Sequence, residues 1–334
     1  MLNKEQKIRM LKVMITIRKF EQSIKNLYKE GFVEGAIHCY TGEEAIAAGV
    51  CGALEKSDYI FSTHRGHGHA IAKGCDLKKI FAEIMGREAG LCRGLGGSMH
   101  LFDAGNGLMG GNGIVGGGLP LSLGTAYSAR YRGNNRITAC FFSEGASNQG
   151  TFHEALNMAS LWKLPLLFVC ENNLFAATTP SFKTLSNPDI SARAIGYGMP
   201  GVVADGNDVI DVYTKTCTAV ETARTGNGPT LIECKTYRVE GHCMVLKDLP
   251  QFRDPEVVSD WAERDPINIF IDRLSHDTDF YSEDPEGSVK IENIRKMIED
   301  QTEKEFEEAI DFAKSSPLPD PARFKKTVHA RYQS

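Results

Sequence analysis

The stretch between residues 137 and 170 limits the possible folds most. Ile137-Thr-Ala-Cys-Phe-Phe142 and Leu166-Leu-Phe-Val-Cys170 are short, apolar and β-prone, and a helical segment from about Thr151 to Leu161 lies between them. A strand, a helix and a second strand within roughly 35 residues form a βαβ unit with parallel strands and a right-handed crossover. We therefore predict an α/β fold in which helices flank a parallel sheet, with a further strand at Thr230 to Lys235.

Helical segments are predicted at both ends of the chain. Between Glu5 and Glu30 apolar residues recur on one helix face, and Gly31 ends the pattern. A charged helical pattern returns at Lys290 and breaks near Pro317, before a basic tail. Residues 87–124 are rich in glycine but keep apolar side chains, which favours an ordered loop over a disordered linker. We expect one domain over residues 1–334, with an N-terminal helix and a C-terminal helical tail.

Charge and cysteine content argue against several classes of protein. The net charge of −5 gives no electrostatic reason for a nucleic-acid partner. The charged N-terminus is unlike a signal peptide, and no apolar run approaches the ~20 residues of a membrane span. The nine cysteines occur without the Cys-x-x-Cys pair of zinc sites and redox dithiols. The expected location is cytoplasmic, away from the membrane.

Polar residues follow both strands of the βαβ unit. Ser143-Glu-Gly145 comes after the first strand, and Glu171-Asn-Asn173 comes after the second. Because ligands bind beyond the carboxyl ends of parallel strands, the two loops should face one crevice. N–H groups at the start of the following helix can hold a phosphate, while Glu144 and Asn173 carry the oxygen ligands that Mg²⁺ prefers beside a diphosphate.

These two loops resemble the signature of thiamine-diphosphate enzymes, in which Gly-Asp-Gly is followed about thirty residues later by Asn-Asn. The resemblance extends over roughly residues 5 to 330 to the α subunits of the E1 component of 2-oxo acid and acetoin dehydrogenases, and acetoin dehydrogenase α subunits look most similar around His64 to Cys75. The other matching segments, in the same order, are Phe61-Ser-Thr-His-Arg-Gly-His67, Gly94-Leu-Gly-Gly-Ser-Met-His100, Gly110-Gly-Asn-Gly-Ile-Val-Gly116, Asn148-Gln-Gly-Thr-Phe-His-Glu-Ala155 and Tyr237-Arg238 to His242.

The resemblance implies the α/β thiamine-diphosphate-binding fold and a set of ligands for the cofactor and for Mg²⁺. Arg65 would donate hydrogen bonds to the diphosphate. The metal ligands would be Glu144, Asn173 and the carbonyl oxygen of Phe175. The cofactor would also contact His64, Gly113, Val115, Gly145, Ala146, Arg238 and His242, of which His64 and His242 are the candidate catalytic residues.

The resemblance also implies a partner and a reaction. In this family the chain would hold only the diphosphate-binding module, and a separate E1 β subunit would complete the cofactor site in an α₂β₂ heterotetramer. The complex would be an oxidoreductase that cleaves acetoin or a pyruvate-like 2-oxo acid. The acyl unit would pass to the lipoyl group of an E2 acyltransferase.

The chain departs from the family pattern at three places. Ser143-Glu-Gly145 replaces Gly-Asp-Gly, so the longer carboxylate should overshoot the metal, and Ser143 would be strained if that position needs a positive φ. Phe175-Ala-Ala177 replaces the common Tyr-Gly-Met, and the loop from Cys243 to Leu249 lacks a Ser-Asp-Pro-Gly-like stretch. Two alternatives therefore stay open: a thiamine-dependent acyloin-forming or transketolase-like paralogue, and a scaffold subunit poor in cofactor.

Several other motifs have simpler interpretations. His64, His67 and His69 alternate in what we expect to be an extended loop, so their rings should point to different faces instead of sharing a metal. His100 and His153 can be structural histidines. Residues 111–116 match the dinucleotide fingerprint formally, but no apolar strand precedes them and no acidic residue follows about twenty positions later, so NAD is not expected there.

Overall fold

Five parallel strands make up the central sheet of the computed structural model, which describes residues 2–245, 253–282 and 290–322. The sheet strands are β1 (Tyr59–Phe61), β2 (Thr138–Ser143), β3 (Leu166–Asn172), β6 (Gly201–Asp205) and β7 (Thr230–Lys235). Their spatial order is β1-β2-β3-β7-β6. The short strands β4 (Phe175–Ala176) and β5 (Thr179–Pro180) form a separate antiparallel hairpin.

Helices cover both faces of this sheet. One layer packs around α1 and α10, and the other around α5 and α6. The helices are α1 (Lys4–Lys29), α2 (Glu44–Ala53), α3 (Gly66–Ala72), α4 (Leu77–Ile84), α5 (Gly118–Arg132), α6 (Gly150–Leu161), α7 (Val209–Arg224), α8 (Pro255–Glu263), α9 (Pro266–Ser275) and α10 (Ile291–Ser315).

Local sequence signals explain the main elements. A capping box starts α1, because the Asn3 side chain accepts from the Gln6 N–H at 2.8 Å and the Gln6 side chain accepts from the Asn3 N–H at 2.9 Å. Gly31, with φ of 79°, follows its C-terminal end. β3 is buried along its whole length, as expected for a central strand of a parallel sheet that is covered on both faces.

The structure confirms the predicted parallel α/β architecture and most of its predicted elements. The βαβ unit consists of β2, α6 and β3, the predicted strand at residues 230–235 is β7, and the two terminal helices are α1 and α10. The prediction of a loop through residue 124 was wrong at its end, because α5 begins at Gly118. The sequence does not predict this start, because three glycines and Pro120 are poor helix formers, although proline is tolerated in a first helical turn.

The parallel register brings the carboxyl ends of the strands to one edge. Ser143 at the end of β2 pairs with Glu171 of β3, and Glu171 pairs with Cys234 of β7. The segments that follow these strands therefore meet there, as predicted. None of the helices in the part of the chain that the structure describes is long and apolar enough to cross a membrane.

Candidate active site

A crevice opens at the carboxyl edge of the sheet. The segment after β1, the loop before α5 and the 3₁₀ turn Glu144–Asn148 after β2 line it. Three residues predicted to contact the cofactor are among its walls: His64, Val115 and Ala146. Gly113 lies beside it, where an added β-carbon would be 3.5 Å from the ring of His100. The structure thus brings residues from three separate motifs to one place.

Ser143 and Gly145 fit their positions for different reasons. Ser143 has an extended backbone with φ of −91° and ψ of 165°, so the position does not need a glycine and the strain considered above is absent. Gly145 is required by a close approach, because a β-carbon there would lie 2.8 Å from the β-carbon of Ala176. Contact with Ala176 also shows that the segments after β2 and β3 face each other.

Glu144 is a buried carboxylate whose two oxygens lack a well-formed hydrogen bond within the described part of the chain. Its side chain belongs to a residue only 1% exposed, and among the described residues neither carboxylate oxygen has a hydrogen-bond partner. Burial is the main reason that the pKa of Glu144 is raised, while nearby backbone N–H groups and the charges of Arg238 and Arg65 act in the opposite direction. An unpaired buried carboxylate is costly, and a bound cation would supply the missing partner. Glu144 therefore fits a metal ligand better than an ordinary loop acid.

Asn173 is held by a residue that sequence reasoning missed. Its Nδ2 group donates to Glu43 Oε1 at 3.0 Å, and its Oδ1 atom accepts from the Phe175 N–H at 3.4 Å. The Oε1 atom of the Glu43 carboxyl group fixes the amide orientation, because it accepts from the NH₂ group and the carbonyl oxygen of Asn173 then faces the other way. The one signal for Glu43 was the acidic pair Glu43-Glu44 before an apolar helix.

The backbone around Phe175 is strained. Leu174 and Ala177 have φ values of 69° and 52°, in the left-handed region that residues with a β-carbon rarely adopt. Ala177 is held there in part by Arg238, whose Nη2 group donates to the Ala177 carbonyl oxygen at 2.8 Å. Such strain clusters at functional sites, and here it lies on both sides of the Phe175-Ala176 strand.

Three histidines and two arginines meet at the edge of the crevice. The ring nitrogens of His38, His64 and His242 lie within 4.8 Å of one another. Arg65 Nη2 and Arg238 Nη1 are each 3.3 Å from His242 Nδ1. Since a guanidinium group only donates hydrogen bonds, His242 Nδ1 is the acceptor and Nε2 carries the proton of the neutral ring.

The charge of this cluster suits an anion. Burial, and after it the charge of Arg65, lowers the pKa of His64 to about 2 and that of His38 to about 3, so both rings are neutral at neutral pH. Two adjacent guanidinium groups repel a metal cation and attract an anion such as a diphosphate. His38 was not predicted from the sequence, where it is a single histidine inside the apolar run Ala36-Ile37-His38-Cys39-Tyr40.

The other histidines have separate partners. His67 Nδ1 lies 3.0 Å from the Glu21 carboxylate, and His69 Nδ1 lies 2.7 Å from Ser62 Oγ. The two residues lie in α3, so the expected extended loop was wrong, but their rings do point to different partners. His100 and His153 are exposed, and their hydrogen-bond partners are the Gly96 carbonyl oxygen and the Tyr197 hydroxyl group.

The loop from Cys243 to Leu249, which differs from the family pattern, is described only in part, since residues 246–249 lie outside the described residues.

We expect Glu43 to make the stability of the metal-free protein depend on pH. Burial, reinforced by the charge of Glu171, raises the pKa of Glu43 from 4.5 to about 8. A carboxyl group with a raised pKa stabilises the folded state below its unfolded pKa, and this contribution is lost as the pH rises through the folded pKa. Between pH 4.5 and pH 8 the melting temperature should therefore fall more steeply for the wild type than for Glu43→Gln. If calorimetry shows that the melting temperatures of the two proteins change with pH in parallel, Glu43 is ionised throughout this range.

Comparison with known proteins identifies the relatives of this chain. Residues 12–322 match the family described as dehydrogenase E1 component. The α subunit of acetoin:2,6-dichlorophenolindophenol oxidoreductase from Bacillus subtilis is 43% identical over 99% of this chain and 96% of that subunit. The pyruvate dehydrogenase E1 component α subunit of Zymomonas mobilis is 40% identical over 95% of this chain and 86% of that subunit. The chloroplastic α-3 subunit of the pyruvate dehydrogenase E1 component from Oryza sativa is 38% identical over 97% of this chain and 76% of that subunit.

Proposed function

Since this chain belongs to the dehydrogenase E1 component family, as its α subunit, we propose that it binds thiamine diphosphate together with a β subunit and cleaves acetoin or a pyruvate-like 2-oxo acid. The family resemblance drawn from the sequence is confirmed by these relatives. The observation that carries the proposal is the buried carboxylate of Glu144, which has no hydrogen-bond partner among the described residues. Its neighbour Gly145 packs against Ala176, in the segment that follows Asn173.

Each part of the site has a role in this proposal. Glu144, Asn173 and the carbonyl oxygen of Phe175 would hold Mg²⁺, which would neutralise charge on the diphosphate. The N–H groups of Gly145 and Ala146 and the guanidinium group of Arg65 bind the diphosphate oxygens. When bound, thiamine diphosphate supplies a carbon nucleophile for the substrate carbonyl and accepts the electron pair of the broken carbon–carbon bond. The remaining cofactor contacts come from His64, Gly113, Val115, Arg238 and His242.

The histidines act as neutral hydrogen-bonding groups in this proposal. Because the pKa of His64 is about 2, its ring is not an imidazolium at neutral pH and positions ligands through a neutral N–H or a lone pair. His242 lies with its Nδ1 atom toward the guanidinium groups of Arg65 and Arg238, at the edge of the crevice. His64 and His242 are thus the proposed catalytic residues.

The substrate and the acceptor form the finer part of the proposal. Acetoin is the first substrate to test, since it appears in the name of the Bacillus subtilis relative. The acyl unit passes to a lipoyl group of an E2 partner. The complex with its β subunit should therefore acylate a lipoyl domain when it is given acetoin or pyruvate, whereas an acyloin-forming paralogue would convert the same substrates and leave the lipoyl group unmodified.

The Glu144→Asp variant should bind Mg²⁺ more tightly. Mg²⁺ needs near-ideal octahedral geometry at about 2.1 Å, and the shorter aspartate removes the overshoot expected of glutamate. We expect the dissociation constant for Mg²⁺, measured by titration calorimetry at saturating thiamine diphosphate, to fall roughly three- to tenfold, or about 0.7–1.4 kcal/mol. Equal or weaker affinity would show that the loop is already fitted to glutamate.

A further inference from the structure

A cavity of about 270 Å³ lies at the amino edge of the sheet, opposite the cofactor crevice. It is bounded by the segment before β2, the residue before β3, and the ends of α5, α6 and α7. Because β2 advances roughly 20 Å over its six residues, the cavity is separate from the crevice at the other end of the strand. We call it the basic pocket and define it by five of the residues that line it: Arg130, Asn134, Arg136, Lys163 and Arg224.

The basic pocket holds positive charge that the chain itself does not neutralise. Arg224 donates to Asp58 Oδ2 at 2.6 Å, so its guanidinium group has a carboxylate partner. Arg136 donates to a tyrosine hydroxyl group, which carries no charge. Among the described residues, Arg130 and Lys163 have no carboxylate partner, and none of the residues that line the cavity is acidic. Three cations without a carboxylate partner therefore surround one cavity and attract an anion, although the net charge of the chain is −5.

The polar groups of the basic pocket are arranged to donate hydrogen bonds. The Oδ1 atom of Asn134 accepts from the Arg136 N–H at 3.3 Å, which leaves the NH₂ group of this amide to donate. The carbonyl oxygen of Asn135 already accepts from Arg224. Guanidinium, ammonium and amide donors together suit the oxygen atoms of a phosphate group, which accept hydrogen bonds and carry negative charge.

Lys163 occupies a backbone position that glycine normally takes. It follows the end of α6 with φ of 46°, and the hydrogen bond from the Leu164 N–H to the Ala159 carbonyl oxygen, at 2.9 Å, completes the usual C-terminal motif of a helix. The two other helices that end at this pocket, α5 and α7, have Gly133 and Gly226 at the corresponding position. A lysine there strains the backbone, and glycine would avoid the strain. The ammonium group is thus retained at a cost to the fold.

Helix dipoles explain only part of this charge. Arg130 and Arg224 lie in the last turns of α5 and α7, where a cation offsets the negative end of the helix. Arg136 lies outside any helix, two residues before β2, and a helix end alone does not require a strained lysine at position 163. A phosphate group that contacts both Arg136 and Lys163 would account for these two positions.

We propose that the basic pocket binds a phosphate group, either as free phosphate or as part of a small organic phosphate. The side chains of Arg136 and Lys163 supply the positive charge, and the amide of Asn134 supplies a neutral donor. The inference does not rest on the proposed function, because the basic pocket and the cofactor crevice lie at opposite edges of the sheet.

Lys163→Gly tests the proposal in a variant that should fold at least as well as the wild type. It removes one cation and supplies the residue that the backbone prefers, so its melting temperature should equal that of the wild type or exceed it by about 1–3 °C. Inorganic phosphate is titrated by calorimetry, at constant ionic strength, into the complex with the β subunit after saturation with thiamine diphosphate and Mg²⁺. The dissociation constant for phosphate should be at least about tenfold higher in the variant than in the wild type. Glucose 6-phosphate, titrated in the same way, should bind more tightly than phosphate if the natural ligand is an organic phosphate, and no more tightly if it is free phosphate.

Arg93→Gly is the matched control. Arg93 is also an exposed cation with a positive φ, of 60°, but it does not line the basic pocket. Its replacement changes charge and backbone strain in the same sense and should leave the affinity for phosphate unchanged. Wild-type phosphate affinity in Lys163→Gly would overturn the inference, and so would an equal loss in Arg93→Gly. Phosphate binding that disappears once thiamine diphosphate is added would lie in the crevice and would also contradict it.

Discussion

The Glu144→Leu variant is expected to lose saturable binding of Mg²⁺ and thiamine diphosphate while the cofactor-free protein becomes more stable. The two effects have one cause, because both oxygens of the buried carboxylate lack a partner within the described residues. An apolar side chain of similar shape removes the desolvation cost and should raise the free energy of unfolding by about 1–3 kcal/mol. The loss of a charged metal ligand should weaken cofactor binding at least about 100-fold, equivalent to about 2.7 kcal/mol.

Glu21→Leu is the matched control for this prediction. Glu21 is also fully buried, but its carboxylate accepts from the Tyr40 N–H and lies 3.0 Å from His67 Nδ1. Its removal should therefore lower the melting temperature, since two buried partners lose their acceptor. Calorimetric melting and cofactor titration of both variants distinguish a carboxylate that binds the metal from one that only stabilises the fold. A Glu144→Leu protein that melts below the wild type would show that Glu144 is a structural residue.

The Arg65→Ala variant should show the second large effect, a loss of affinity for the diphosphate group. Arg65 is almost fully buried, and it donates to the carbonyl oxygens of Cys39 at 2.8 Å and His242 at 2.9 Å. Removal of a buried charged donor costs about 2–5 kcal/mol, so thiamine diphosphate affinity should fall by roughly 30- to 4,000-fold. The thiamine diphosphate affinity of Arg65→Lys should lie between those of the wild type and Arg65→Ala, because lysine keeps the charge but not the planar guanidinium group.

Inorganic pyrophosphate distinguishes direct contact from an indirect effect of Arg65. If the guanidinium group binds the diphosphate, pyrophosphate should compete with the cofactor in the wild-type complex, and the variant should lose affinity for both in the same proportion. Unchanged pyrophosphate affinity in Arg65→Ala would mean that Arg65 only positions the segments of Cys39 and His242.

The parallel sheet could be predicted because its strands carry their own signals. β2 and β3 are apolar along their length, and α6 between them has a helical pattern, so chain order alone implied parallel pairing. The carboxyl edge of the sheet then followed from strand direction. The start of α5 could not be predicted, since its glycines and Pro120 are poor helix formers and packing against the sheet decides its structure.

Candidate site residues could be proposed from the sequence where they belong to a motif, but not where only the fold brings them together. His64, Val115 and Ala146 belong to separate sequence motifs, and the structure brings them to one crevice. Glu43 lies 130 residues from Asn173, and no local pattern connects the two. His38 likewise joins His64 and His242 only through the fold. The sequence shows Glu144 in the loop after β2. Only the structure shows that its carboxylate lacks hydrogen-bond partners within the described residues.

Titration calorimetry of thiamine diphosphate with Mg²⁺ into this chain, co-expressed with its β subunit, tests the central claim most directly. The account predicts saturable binding of one cofactor per α chain, which requires Mg²⁺ and disappears in Glu144→Leu. An intact complex that binds no cofactor would contradict it, and the chain would then be a scaffold subunit whose Ser143-Glu-Gly145 loop no longer holds the diphosphate.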